Sequence, residues 1–69
     1  MTAIFYVKDL DNLNCLNEIQ KYLKDNGYND FAIISSEKVL EIDYDEKLTN
    51  VNKIFNFLSK LNYEIEIIE

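Results

Sequence analysis

The residues with the clearest chemical potential lie in one polar stretch, Asp-Leu-Asp-Asn-Leu-Asn-Cys, at positions 9–15. Cys15 is the sole cysteine of the chain, and the apolar spacing that follows it predicts the first turn of a helix there. Unpaired N–H groups and the positive dipole end at such a position stabilise a thiolate, which we expect to face solvent. Asp11, four residues earlier, brings a carboxylate close if the stretch folds back. A thiolate with a carboxylate suits a borderline-soft ion such as Zn(II).

The same residues can instead have a purely structural role. A free cysteine often behaves as a small buried hydrophobe rather than as a ligand. Asp11, Asn12 or Asn14 can cap the helix, because short polar side chains accept hydrogen bonds from its first N–H groups.

Composition narrows the classes of function. The 69 residues include thirteen Asp and Glu against seven Lys, with no Arg and no His, for a net charge of −6. This charge repels a phosphate backbone, so we expect no nucleic-acid partner. The chain has no imidazole, the commonest general base, and no guanidinium group to clamp an oxyanion, so we expect that the protein is not an enzyme. One cysteine excludes an internal disulfide framework, and no signal pattern or membrane-length apolar run occurs, so we expect one cytoplasmic domain over residues 1–69, not inserted in a membrane.

Apolar periodicity divides the chain into six elements in the order β-α-β-β-α-β. The first helical segment places Leu16, Ile19, Gln20 and Leu23 on one face at i, i+3, i+4 and i+7, and the second forms an apolar stripe of Val51, Ile54, Phe55, Leu58 and Leu61. Gly27 is expected to end the first helix and Thr49 to cap the second. The third strand alternates apolar with acidic residues, which is typical of a sheet with one wet face. The predicted strands cover residues 3–7, 28–36, 39–44 and 63–68, and the predicted helices cover residues 15–26 and 50–61.

The two helical segments form a weak internal repeat. LNEIQKYLKDNGY at 16–28 aligns with VNKIFNFLSKLNY at 51–63, an offset of 35 residues. Two right-handed βαβ halves interleaved in one sheet give an α+β, ferredoxin-like sandwich, with a four-stranded antiparallel sheet and both helices on one face. This fold hosts many functions, so function has to be argued from a site.

The stretch at 7–16 resembles the metal loop of heavy-metal-associated domains, which occur in soft-metal P-type ATPases and small copper chaperones. The signature of that family is Gly-Met-x-Cys-x-x-Cys between an apolar strand and a helix. Residues 39–44 are similar to the family's third strand, residues 48–54 to the start of its second helix, and residues 61–67 to its Leu-Gly-Tyr turn and last strand. The resemblance therefore covers nearly the whole chain.

The chain departs from that signature at the metal motif itself. Cys15 matches the second cysteine, whereas Asn12 stands at the first, and Asp9 replaces the Gly. Leu10 replaces the Met that packs beneath the loop, a change that conserves volume. Copper(I), which the family holds nearly linearly between two thiolates, is poorly served by one thiolate and a neutral amide. In the family's zinc, cadmium and lead subgroup an Asp directly before the first Cys adds a ligand, and Asp11 matches it. The resemblance therefore implies at most a weak site of Cys15, Asp11 and Asn12 for Zn(II), Cd(II) or Cu(I), or no metal at all.

The resemblance implies a docking or regulatory module of a soft-metal transport or trafficking system. Its expected partner is another ferredoxin-like metal-binding domain or a transport ATPase, and a homodimer sharing two Cys15 thiolates would restore a two-sulfur site. The alternative is a metal-free regulatory domain of the same fold, such as an ACT-like small-molecule sensor or a protein-interaction domain. The Gly-rich first loop expected of a sensor of that type is missing from this chain.

Overall fold

The six predicted elements are present in the predicted order. A computed structural model describes residues 1–68 of the chain. The elements are β1 (Thr2–Val7), α1 (Leu13–Asp25), β2 (Phe31–Ile34), β3 (Val39–Asp43), α2 (Val51–Ser59) and β4 (Ile65–Ile67). The four strands form one antiparallel sheet in the order β2-β3-β1-β4, which confirms the ferredoxin-like prediction.

Buried side chains alternate along the two central strands. Phe5 of β1 lies opposite Leu40 of β3, and Ala3 lies opposite Ile42, so these inward residues share one face of the sheet. The apolar stripes of both helices pack on that face, which places α1 and α2 on the same side as predicted. The core consists of Ala3, Phe5, Val7, Leu10, Cys15, Ile19, Leu23, Leu40, Ile42, Ile54 and Leu58.

Each helix begins at a position set by an asparagine cap. Asn12 is the N-cap of α1, so the helix starts at Leu13, two residues before the predicted start. Asn50 is the N-cap of α2, where its side-chain oxygen accepts a hydrogen bond from the Lys53 N–H at 3.0 Å. The prediction that Thr49 caps α2 is therefore wrong by one residue. Asparagine and threonine are both good caps, and the apolar pattern does not distinguish adjacent candidates.

Two strands are shorter than predicted because the turn after each helix uses the residues in front of the strand. The Tyr28 N–H donates to the carbonyl of Leu23 at 2.9 Å, and Gly27 has a φ of +86°. Asn62 occupies the matching position after α2 and has a φ of +65°. The internal repeat therefore extends to the left-handed residue that ends each helix.

Among residues 1–68, no helix combines the length and the apolar character that crossing a membrane requires.

Candidate metal site

The loop between β1 and α1 is a compact turn fastened to the core. The Leu10 N–H donates to the carbonyl of Val7 at 3.1 Å, and the Asn12 N–H donates to the carbonyl of Asp9 at 2.9 Å. The Leu10 side chain is fully buried beneath this turn, the role that the resemblance gives it. The turn delivers Asn12 to the start of α1, three residues before Cys15.

The side chain of Asn12 is engaged with the backbone of the first helical turn. Its oxygen accepts hydrogen bonds from the N–H of Asn14 at 2.9 Å and from the N–H of Cys15 at 3.4 Å. Of the caps considered from the sequence, the structure selects Asn12. An amide oxygen that satisfies two helix N–H groups is a poor metal donor, because a ligand role would leave those groups unpaired.

Cys15 belongs to the hydrophobic core. Only 2% of the residue is accessible to solvent, so the expectation of an exposed sulfur is wrong. The hydroxyl of Tyr63 lies close to the sulfur, and this hydroxyl donates a hydrogen bond to Oε1 of Glu18 at 2.6 Å.

This environment keeps the thiol protonated. Burial is the largest cause that raises the pKa of Cys15 above its ordinary value, and the negative charges of Asp9, Glu18 and Asp11 raise it further. The nearby Tyr63 hydroxyl lowers the pKa of Cys15, because an O–H can donate to a thiolate, but it does not reverse the direction. The pKa of Tyr63 is also raised, chiefly because ionisation would break its hydrogen bond to Glu18. The helix terminus alone favours a thiolate, but desolvation and the nearby carboxylates outweigh it.

Asp11 pairs through its carboxylate with a residue of the β2–β3 turn. Its carboxylate lies 3.8 Å from Nζ of Lys38, and its side chain is 61% exposed. Such an exposed ion pair contributes at most ~1 kcal/mol, so it is easily broken. Of the three predicted ligands, the structure therefore brings Asn12 and Cys15 together at one helix terminus and leaves Asp11 in an ion pair. Across residues 1–68, no group of three or more His, Cys, Asp and Glu side chains is arranged to hold a metal ion, and the three-residue site stays a prediction.

Sequence reasoning missed two residues that define this site. Glu18 lies one helical turn after Cys15, and the i, i+3 spacing was a usable signal for a neighbour on the same helix face. Lys38 has a φ of +58° in the turn between β2 and β3. Its approach to Asp11 follows from the topology, which places that turn and the β1–α1 loop at the same end of the sheet.

The chain is similar to a protein of known structure, whereas no protein-family model and no curated protein sequence matches it. The similar structure is that of a heavy metal binding protein from Thermotoga maritima, determined by NMR, with a TM-score of 0.78 and 23% sequence identity. The match covers 96% of this chain and 92% of the other. At this identity the similarity establishes that the two chains share the ferredoxin-like fold.

Proposed function

We propose that this chain is a heavy-metal-associated-like domain of a soft-metal transport or trafficking system, with weak or lost metal binding, and that it acts as a docking module. The observation that carries the proposal is the state of the β1–α1 loop. It stands on the scaffold of a heavy metal binding protein, yet its single sulfur is buried and its amide is used as a helix cap.

The donor set explains why binding within one chain is weak. A soft ion needs the thiolate form of Cys15, but burial and three carboxylates favour the protonated form. Binding must therefore expel a proton, turn the sulfur out of the core and replace the contact with Tyr63. Each of these steps costs free energy that a site of two solvent-exposed thiolates would avoid, and proton release makes the affinity depend on pH.

The same loop carries a feature that suits docking. Leu13, at the start of α1, is 69% exposed, although burying a leucine in a folded protein is worth about 1.5–3 kcal/mol. Polar Asn12 and Asn14 flank it, and Asp9 and Asp11 precede it on the same loop. An exposed apolar side chain within a polar rim is the usual arrangement at the centre of a small protein interface. The proposed partner is another ferredoxin-like metal-binding domain or a transport ATPase, which would supply the missing thiolate.

Metal titration tests the first half of the proposal. Reduced protein is titrated with Cd(II), Zn(II) and Cu(I) while thiolate-to-metal charge-transfer absorbance is recorded, with Cys15→Ser as the matched control. We expect weak absorbance that grows with pH and disappears in the control. A tight site with one ion per chain at neutral pH would contradict weak or lost binding.

Docking is tested with the isotopically labelled chain and the metal-loaded Thermotoga maritima protein as the probe. We expect NMR shift changes confined to residues 8–18, and their loss in Leu13→Asp. Asn56→Asp, which adds the same charge at an exposed position on α2 outside this stretch, is the control and should leave the interaction in place. Absence of shifts, or shifts that survive Leu13→Asp, would contradict docking through this loop.

A further inference from the structure

A concave site lies at the end of the sheet remote from Cys15. Thr2 begins β1 there, opposite Asp43 at the end of β3, whereas Val7 at the other end of β1 leads into the Cys15 loop. The cavity has a volume of about 520 Å³ and lies between the α1–β2 and β3–α2 loops. Its lining consists of Gly27, Tyr28, Asn29, Asp30, Asp43, Tyr44, Asp45, Leu48 and Thr49. This volume is within the range of small-molecule sites, ~300–1,000 Å³.

Backbone hydrogen bonds fix the walls of this cavity. The Tyr28 N–H donates to the carbonyl of Leu23 at 2.9 Å, and the Asp43 N–H donates to the carbonyl of Asp30 at 2.9 Å. In the turn between β3 and α2, the N–H groups of Leu48 and Thr49 both donate to the carbonyl of Asp45, at 2.9 and 3.1 Å. Both loops are therefore ordered before any ligand arrives, which lowers the entropic cost of binding.

The apolar part of the lining comes from Tyr28, Tyr44 and Leu48. The ring of Tyr28 packs on Phe57 with a centroid distance of 5.1 Å, and Phe57 stacks on Tyr22 at 4.2 Å, so the position of this wall is set by the core. Leu48 is 80% exposed, and nothing in the packing of the fold requires an apolar side chain there. A ligand with a hydrocarbon body would bury it.

The polar part of the lining is acidic. Asp30, Asp43 and Asp45 contribute carboxylates, and no lysine is among the residues that line the cavity. One oxygen of Asp45 accepts a hydrogen bond from the Lys47 N–H at 2.9 Å, and Asp43 lies 3.5 Å from the amino group of Met1. Together with the net charge of −6, these groups attract a cation and exclude an anion. A bare metal ion would leave the tyrosine and leucine surface unused, and the described residues contain no group of three or more His, Cys, Asp and Glu side chains arranged to hold one.

We propose that this cavity binds a small organic amine, with its ammonium group on the Asp30 side of the cavity and its hydrocarbon body against Tyr28, Tyr44 and Leu48. Tyrosine faces also attract an ammonium group directly. This site is independent of the Cys15 loop, so its failure would leave the proposed function untouched.

NMR titration of the isotopically labelled chain with phenethylamine tests the inference. We expect saturable shifts confined to residues 27–30 and 43–49, with a Kd of about 1 mM, given the modest affinity available to a ligand with so few atoms. Phenylacetate, which has the same ring but the opposite charge, and ethylamine, which has the charge without the ring, should each bind at least about tenfold more weakly.

Variants then test which lining residues bind the ammonium group of the ligand and which contact its hydrocarbon body. Asp30→Asn should weaken phenethylamine binding at least about threefold, and Leu48→Ala should do the same by removing apolar contact. Glu37→Gln removes one charge from the turn at the opposite end of the sheet and should leave the affinity unchanged. The inference would be overturned if phenylacetate bound as tightly as phenethylamine, or if Glu37→Gln weakened binding as much as Asp30→Asn. It would also be overturned if phenethylamine gave no saturable shift at concentrations well above the expected Kd.

Discussion

Asn12→Cys should convert the loop into a metal site. The resemblance places the first metal-binding cysteine at this position, and the structure places the side chain there over the first turn of α1, beside the backbone N–H of Cys15. In the substituted chain two sulfurs, three residues apart, would meet at one helix terminus. We therefore expect binding of Cd(II) and Cu(I) with charge-transfer absorbance that the wild-type chain does not give at the same concentrations.

The stability change has two parts of opposite sign. Loss of the cap removes the acceptor of two helix N–H groups, and such a loss costs ~1 kcal/mol. For a domain of this size that lowers Tm by about 4–8 °C. Free metal at one hundred times its Kd stabilises the folded state by ~2.7 kcal/mol. The substituted chain should therefore melt below wild type without metal and above it with metal.

Thermal unfolding with and without Cd(II), followed by circular dichroism, measures both parts. Asn12→Ser is the matched control, because serine retains a capping oxygen and adds no thiol. Its Tm should be close to that of wild type and should not change when Cd(II) is added. If the Asn12→Cys chain folds but shows neither the absorbance nor a metal-dependent Tm, then Asn12 is not what prevents metal binding, and the reasoning about the loop is wrong.

Three further outcomes are expected. The pKa values of Cys15 and Tyr63 are both raised in the folded state. Their protonated forms therefore stabilise the fold fully below the unfolded pKa values of about 8.5 and 10, and this stabilisation is lost as pH rises past those values. The urea midpoint should fall above about pH 9, and it should fall less steeply in Tyr63→Phe. Leu58→Ala should cost ~2–5 kcal/mol by leaving a cavity in the core, whereas the exposed Lys60→Ala should change the free energy of unfolding little, both by urea titration. Asn62→Val should cost ~1–2 kcal/mol because Asn62 has a left-handed backbone, and an Asn62→Gly chain that unfolds as easily as Asn62→Val would contradict that explanation.

The fold could be predicted from local pattern because each element carries its own signal. Ile19 and Leu23 in α1, and Ile54 and Leu58 in α2, recur at helical spacing and are all buried. Leu40 and Ile42 alternate with polar residues and are buried on one face of β3. A β-α-β-β-α-β order with these faces leaves few compact arrangements. The ends of the elements were harder to predict, because Thr49 and Asn50 are both competent caps and only backbone geometry selects between them.

The sequence by itself determined which atoms are available for chemistry, namely one thiol, no imidazole, no guanidinium and an excess of carboxylates. It could not determine the state of that thiol, because Tyr63 lies 48 residues from Cys15 in the chain and meets it only through the sheet. Local reasoning predicted an exposed thiolate from the helix terminus, whereas tertiary packing places the sulfur in the core beside a phenol bonded to Glu18. The tertiary structure decided the chemistry here because desolvation and charge act through space between groups that are distant in sequence.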